Sequence, residues 1–267
     1  MKSPRLVASV ACAVTLAAAA VTAATPASAA GANYVALGDS YSSGTGTGSY
    51  DLDSGCQRSS KAYGPLWASA HGAASFKFVA CSGAKTSDVK ANQISALSSS
   101  TTLASITIGG NDAGFASVMQ TCVLGSDSSC QTAVTNAENY IRNTLPGNLN
   151  STFSQMRSKA PSAHIVVLDY PHMYITNDTF CVGMSHTKHV LLNQAADVLD
   201  GVVSTATSGA GSGFTFADVR SRFSGHELCS GDDWLHAVDF SDIGSSYHPT
   251  ALGHSSGYSP VFTSAAG

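Results

Sequence analysis

Residues 34–44 read YVALGDSYSSG. A strand-like apolar run stops at Gly38, and Asp39 and Ser40 follow at once. By itself Gly-Asp-Ser is ordinary turn chemistry, because all three residues favour loops. The surroundings decide how it is read. Similar short runs recur at 76–81 (FKFVAC), 104–108 (ASITI), 164–170 (HIVVLDY) and 214–219 (FTFADV). Between them lie stretches of helical composition at about 61–71, 86–97, 131–158 and 187–207. Strands that alternate with helices predict a parallel sheet covered on both faces, an α/β fold built as a three-layer α/β/α sandwich. In open sheets of this kind ligands bind beyond the carboxyl ends of the strands. Three successive strands end in Gly38-Asp39-Ser40, Cys81-Ser82-Gly83 and Gly109-Gly110-Asn111-Asp112, so all three tails are expected at one edge. A long polar loop, 42–55, lies beside the serine, and TSGAGSG at 207–213 is too short to link domains.

The chain begins with Lys2 and Arg5, then an apolar stretch, then Ala27-Ser28-Ala29, the pattern of a secretory signal peptide over residues 1–29. The remainder, 30–267, is expected as a single domain. No later run approaches the roughly 18 to 20 apolar residues of a membrane span, so a secreted, extracellular product without stable membrane insertion is expected. Of the seven cysteines one, Cys12, falls in the signal segment. Cys56, Cys81, Cys122, Cys130, Cys181 and Cys229 remain, an even set in an oxidising compartment. None forms a CxxC or CxxxC pair, so three disulfides are expected and a metal site is not. The residues alone leave the pairing open. Charged residues make up only 11% of the chain and the net charge is −4, which offers no basic surface for nucleic acid or anionic lipid. Function therefore falls to a local site, with no cofactor expected and the chain acting as a monomer.

A serine nucleophile needs a base to take its proton and donors aimed at the oxyanion that forms on the attacked carbonyl. Ser40 fits the first requirement. Among nine histidines His248 stands out, because Pro249 directly after it can start a helix and set the imidazole on a defined turn. Asn111 supplies a side-chain amide between glycines that let backbone approach a substrate. Gly253-His254-Ser255-Ser256-Gly257 matches G-x-S-x-G, but neither an acid nor a histidine follows in the last ten residues. That match is accidental.

Gly-Asp-Ser, the glycine of CSGA, GGND and a C-terminal HPT, in that order from residue 38 to 250, resemble the SGNH branch of the GDSL hydrolase family. ANYVALGDSYSSG, ACSGA, ITIGGNDAGF, GHELCSG and SYHPTALGH, with six cysteines, are similar to the secreted actinobacterial lipases and phospholipases of that family. The resemblance implies a flavodoxin-like parallel sheet and a carboxylic ester hydrolase that works through an acyl-enzyme on an acyl ester or lipid. It implies Ser40 as nucleophile and His248 as general base. The backbone N–H of Ser40, that of Gly83 and the Asn111 amide would form the oxyanion hole. Asp39 is expected as a turn residue whose side chain points away from that of Ser40. Local pairing leaves the strand order undisturbed, and the resemblance points the same way: Cys56 to Cys81, Cys122 to Cys130 and Cys181 to Cys229.

One position departs from the family pattern. Where an aspartate often stands three residues before the histidine, this chain has Ser245. A backbone carbonyl in Ser245 to Ser246 is therefore expected to orient His248, with Asp242 as the rival acceptor. Two other functions carry weight at this stage. A carbohydrate deacetylase uses the same site, with Tyr41, Tyr50 and Trp234 as exposed loop aromatics able to stack on sugars or, equally, to line an acyl groove. A catalytically silent binding module keeps the scaffold without turnover.

Overall fold

The computed structural model describes residues 31–176, 181 and 183–267. The expected signal segment, 1–29, lies outside the described residues. Five strands, β1 (Asn33–Gly38), β2 (Ser75–Phe78), β3 (Leu103–Thr107), β4 (His164–Leu168) and β5 (Phe214–Ala217), form one sheet in the order β2-β1-β3-β4-β5. Every pairing is parallel. This is the flavodoxin-like order, which reverses direction between β1 and β3 and opens a crevice there. The central strands are buried almost throughout, as strands covered on both faces must be. Edge strand β2 alternates between exposed and half-buried residues and places Lys77 in the ladder, which discourages further pairing.

Helices α1 (Ser40–Ser43), α2 (Tyr63–Ala70), α3 (Thr86–Asp88), α4 (Phe115–Leu124), α5 (Asp127–Asn143), α6 (Leu145–Lys159), α7 (His186–Gly209), α8 (Arg220–Phe223) and α9 (Ser259–Ala266) complete the described part. α2 and α9 pack together, with α9 also against β4 and β5, while α4 to α7 pack on one another as a second group. An aromatic cluster joins the first group to the sheet: Phe262 of α9 stacks on Tyr34 of β1 and meets Trp67 of α2 edge-on. Residues Gly31–Gly267 form a single compact unit.

Two helix expectations need correction. The stretch 131–158 is two helices rather than one, and the break falls at Thr144. Pro146 is the reason, since it lacks an N–H and clashes with the preceding turn but sits well at the start of a new helix. α4 was not foreseen at all. Its sequence, FASVMQTCVL, is rich in residues of middling helix propensity, and its cap, Gly114 at φ 78°, makes no side-chain hydrogen bond. At 86–97 the helix is irregular, passing from α3 into a π-helical turn, Val89–Gln93, and a short 3-10 turn, Ile94–Ala96.

The three disulfides join Cys56 to Cys81, Cys122 to Cys130 and Cys181 to Cys229. The first joins the segments after β1 and β2, the second joins α4 to α5, and the third joins the segments after β4 and β5. The G-x-S-x-G match falls in a π-helical segment, Gly253–Tyr258, with no strand before it. That helical region starts after Thr250, whose hydroxyl accepts the Gly253 N–H at 3.0 Å.

Candidate active site

β1 ends at Gly38, whose φ of 122° turns the chain sharply out of the sheet. A side chain there would be strained by that angle alone. The turn is clamped by Gln93 from the π-helical turn: Gly38 N–H donates to Gln93 Oε1 at 2.7 Å, and Gln93 Nε2 donates back to the Gly38 carbonyl at 2.9 Å. Asp39 caps the single turn of α1, its Oδ1 accepting the Tyr41 N–H at 3.0 Å. Its other oxygen accepts the Tyr170 hydroxyl at 2.5 Å, and Tyr170 in turn accepts the Gly110 N–H at 3.1 Å. Asp39 thus holds backbone and ties β1 to the Gly109-Gly110 turn. Burial pushes its carboxyl up to about 7, against the two hydrogen bonds that favour the carboxylate.

Ser40 is the first residue of α1 and is buried. Its Oγ lies 2.8 Å from Nε2 of His248, while His248 Nδ1 lies 3.0 Å from the Ser246 carbonyl. A carbonyl only accepts, so Nδ1 carries the proton and donates it. Nε2 is left to accept from Ser40. Loss of water around the ring pushes the His248 pKa down to about 4, and nearby His236 adds to the shift. The imidazole is therefore neutral at neutral pH. Asp242 is exposed and bonds elsewhere, accepting the Ser245 hydroxyl at 2.5 Å. Tyr247, between these residues and the imidazole, sits at φ 64°, a strained angle for a bulky residue. Its carbonyl accepts the Tyr41 hydroxyl at 2.6 Å, and its N–H donates to the His236 carbonyl at 2.8 Å. The strain is thus held from both sides.

Gly83 and Asn111 come to the same place. Gly83 has φ 80° with open space where a Cβ would stand, so the angle rather than crowding calls for glycine. Asn111 Nδ2 donates to the Ala84 carbonyl at 3.1 Å. Asp112 accepts from Thr86 through both oxygens, Oδ1 from the hydroxyl at 2.6 Å and Oδ2 from the N–H at 2.9 Å. These bonds fasten the GGND turn to the segment after Gly83. Neither Ser40 nor Gly83 N–H donates in any of the loop, turn and cap hydrogen bonds among the described residues. Ser40, Gly83, Asn111 and His248 line a single groove of about 630 Å³.

The match to known proteins agrees with this geometry. Residues 36–255 match the model of the GDSL-like lipase/acylhydrolase family. The chain belongs to that family. This acylhydrolase is 56% identical over 245 residues to Lipase 1 of Streptomyces coelicolor, covering 91% of this chain and 90% of that one. It resembles the crystal structure of phospholipase A1 from Streptomyces albidoflavus NA297 with a TM-score of 0.85 and 53% identity, covering 88% of this chain and 99% of that one. The extracellular lipase of Streptomyces rimosus superposes equally well, with a TM-score of 0.85 at 48% identity, covering 88% of this chain and 99% of that one. The acylhydrolase is accordingly an enzyme of the carboxylic ester hydrolase class.

Two of the three aromatics expected to be free for stacking are not. Tyr41 and Trp234 are buried, Tyr41 against Tyr170 and Trp234 against Phe223 and His226, and only Tyr50 is half-exposed. Gln93, Tyr170 and the strained Tyr247 had no signal in the sequence, because each acts through bonds to groups far from it in the chain.

Proposed function

We propose that this acylhydrolase is exported and cleaves acyl esters of lipids through an acyl-enzyme on Ser40. One observation carries the reading: Ser40 Oγ lies 2.8 Å from a neutral imidazole nitrogen whose partner nitrogen is held by the Ser246 carbonyl. As Ser40 attacks, His248 Nε2 takes its proton and the new charge on the carbonyl oxygen meets three donors, the N–H groups of Ser40 and Gly83 and the Asn111 amide. Donors of this kind are each worth about 10² to 10³ in rate. His248 then protonates the leaving alkoxide. Water attacks the acyl-enzyme with His248 again as base, and Ser40 is regenerated. No step calls for a metal or cofactor.

Lipid as the substrate class is supported by the rim of the groove. Leu124, Phe240 and Ile243 are 69%, 75% and 65% exposed around it. Such apolar side chains suit a lipid surface better than a hydrated sugar. The lipase and phospholipase A1 relatives point the same way. The test is labelling by a small organophosphate followed by peptide mapping, with Ser40→Ala as control, then product analysis on triglyceride and phosphatidylcholine in parallel. Label on Ser40 and release of fatty acid support the proposal. Unlabelled Ser40, or turnover by Ser40→Ala close to wild type, would overturn it.

A further inference from the structure

His248 is gripped through its backbone by a second histidine. His236 N–H donates to the His248 carbonyl at 3.0 Å, and the His236 carbonyl accepts the Tyr247 N–H at 2.8 Å. Leu235 and Pro249 pair beside them as an antiparallel bridge. The His236 ring reaches elsewhere: its Nε2 lies 2.7 Å from the carbonyl of Gly46, in the loop that follows α1. That loop is bound to the nucleophile, since the N–H groups of Gly44 and Thr45 both donate to the Ser40 carbonyl, at 3.1 and 3.2 Å. It also packs directly on His248. Gly46 has φ 90°, and a Cβ there would stand 3.0 Å from His248 Cβ and 2.6 Å from the Pro249 carbonyl, so both angle and space bar a side chain. The Gly46 N–H donates to the Tyr50 hydroxyl at 3.2 Å, which leaves both polar groups of this residue held.

These bonds close a ring: Thr45 N–H to the Ser40 carbonyl, His236 Nε2 to the Gly46 carbonyl, His236 N–H to the His248 carbonyl, and His248 Nε2 back to Ser40 Oγ. Within that ring His236 is the member bonded both to the loop of the nucleophile and to the turn of the base. Given the acyl-enzyme chemistry proposed above, the spacing of those two parts decides whether Oγ and Nε2 meet at hydrogen-bond distance. We propose that His236 is a positioning residue for the Ser40–His248 pair, acting through a hydrogen bond from its Nε2–H to the Gly46 carbonyl. A carbonyl only accepts, so the two histidines hold opposite tautomers, Nε2–H in His236 and Nδ1–H in His248. The ring is close enough for its charge, when protonated, to oppose protonation of His248. The exposed carboxylate of Asp239 feels the same charge, and that of Asp242 acts on His248 with the opposite sign.

The test replaces the ring and reads bond, charge and tautomer separately. Glutamine sets an amide N–H where Nε2 stands, asparagine sets one only where Nδ1 stands, and leucine sets none. With p-nitrophenyl acetate, His236→Leu and His236→Asn should lower kcat by about 10- to 100-fold, the loss that a misplacement of about 1 Å brings, with KM changed less than about threefold. His236→Gln should keep kcat within about threefold of wild type. Its acid limb of kcat/KM should move to higher pH, because a neutral amide no longer opposes the charge on His248 while Tyr50, Asp239 and Asp242 stay in place. Nitrogen-15 NMR of the unmodified enzyme should show His236 as the Nε2–H tautomer. The assignment is overturned by a folded His236→Leu with kcat within about threefold of wild type, or by a folded His236→Gln as impaired as His236→Leu. An unmoved acid limb in His236→Gln, or an Nδ1–H tautomer at His236, overturns it equally. If His236→Leu does not fold, His236→Asn and the tautomer of the unmodified enzyme read the same bond. Absence of organophosphate label on Ser40 in the unmodified chain would instead overturn the acyl-enzyme reading, and any part for His236 in turnover with it; the tautomer is measured without turnover, so the two failures are told apart.

Discussion

Replacing Asp242 by asparagine separates two ways of supporting His248. In the structure the carboxylate is exposed, accepts the Ser245 hydroxyl, and touches the imidazole only through its field, which favours the protonated ring. An exposed charge acting across solvent is worth about 0 to 1 kcal/mol, or at most about fivefold in rate. The proton stays on Nδ1, donated to the Ser246 carbonyl, which the substitution does not touch. Asp242→Asn should therefore keep kcat within about fivefold on p-nitrophenyl acetate, and the His248 Nδ1–H signal should persist in nitrogen-15 NMR with the same tautomer. Were Asp242 a true triad acid, the amide would hold the wrong tautomer and the loss would be near 10⁴. A drop of that size with an unchanged circular dichroism spectrum would refute the carbonyl-held dyad.

Loss of water around the His248 ring pushes its pKa down to about 4, so the acid limb of kcat/KM should fall near that pH, with a flat profile from about pH 6 to 8; a limb at or above 6.5 would refute this. Asn111→Ala should lower kcat by about 10² or more and change KM little, since the oxyanion forms only during reaction, and a pure KM effect would count against that role. Buried Asp169, raised to about 9 by burial and by neighbouring Asp200, faces Arg220 Nε at 3.7 Å. A carboxyl whose folded pKa exceeds its unfolded value near 3.9 contributes stability below that value, and loses it as pH rises through the folded pKa, so urea midpoints should fall between pH 6 and 9. At pH 6 Asp169 and Asp200 are therefore protonated and the Arg220 charge pairs with the partly exposed Asp218 and Asp197, so Arg220→Met should cost about 0 to 1 kcal/mol there; a loss of about 3 kcal/mol or more would show a buried carboxylate ionised beside it.

The sheet was legible because its strands are buried on both faces and so read as unbroken apolar runs such as YVAL and HIVVL. Strand order was not contained in those runs; it came with the family resemblance. Helix ends were legible only where a specific residue marks them, and Pro146 in the middle of 131–158 was such a mark, left unread. α4 is bounded by Gly114 and Gly125, marks that were likewise left unread. In the site, residues with reactive or donor groups stood out by type, and the structure brings Ser40, Gly83, Asn111 and His248 to one groove. Their supports did not stand out. Gln93 lay inside a stretch read as plain helix, and only the π-helical turn aims it at Gly38. Tyr41 was read as a loop aromatic, whereas its hydroxyl bonds the carbonyl next to His248.

Ser40 and His248 are 208 residues apart, one at the end of the first strand and the other just before the last helix. The bond from Tyr41 to the Tyr247 carbonyl, which spans 206 residues, joins the same two ends. During synthesis the serine is made early and its imidazole late, so no nascent chain shorter than 248 residues holds both. The Ser40–His248 pair therefore forms only once the C-terminal segment has arrived and closed over the first turn.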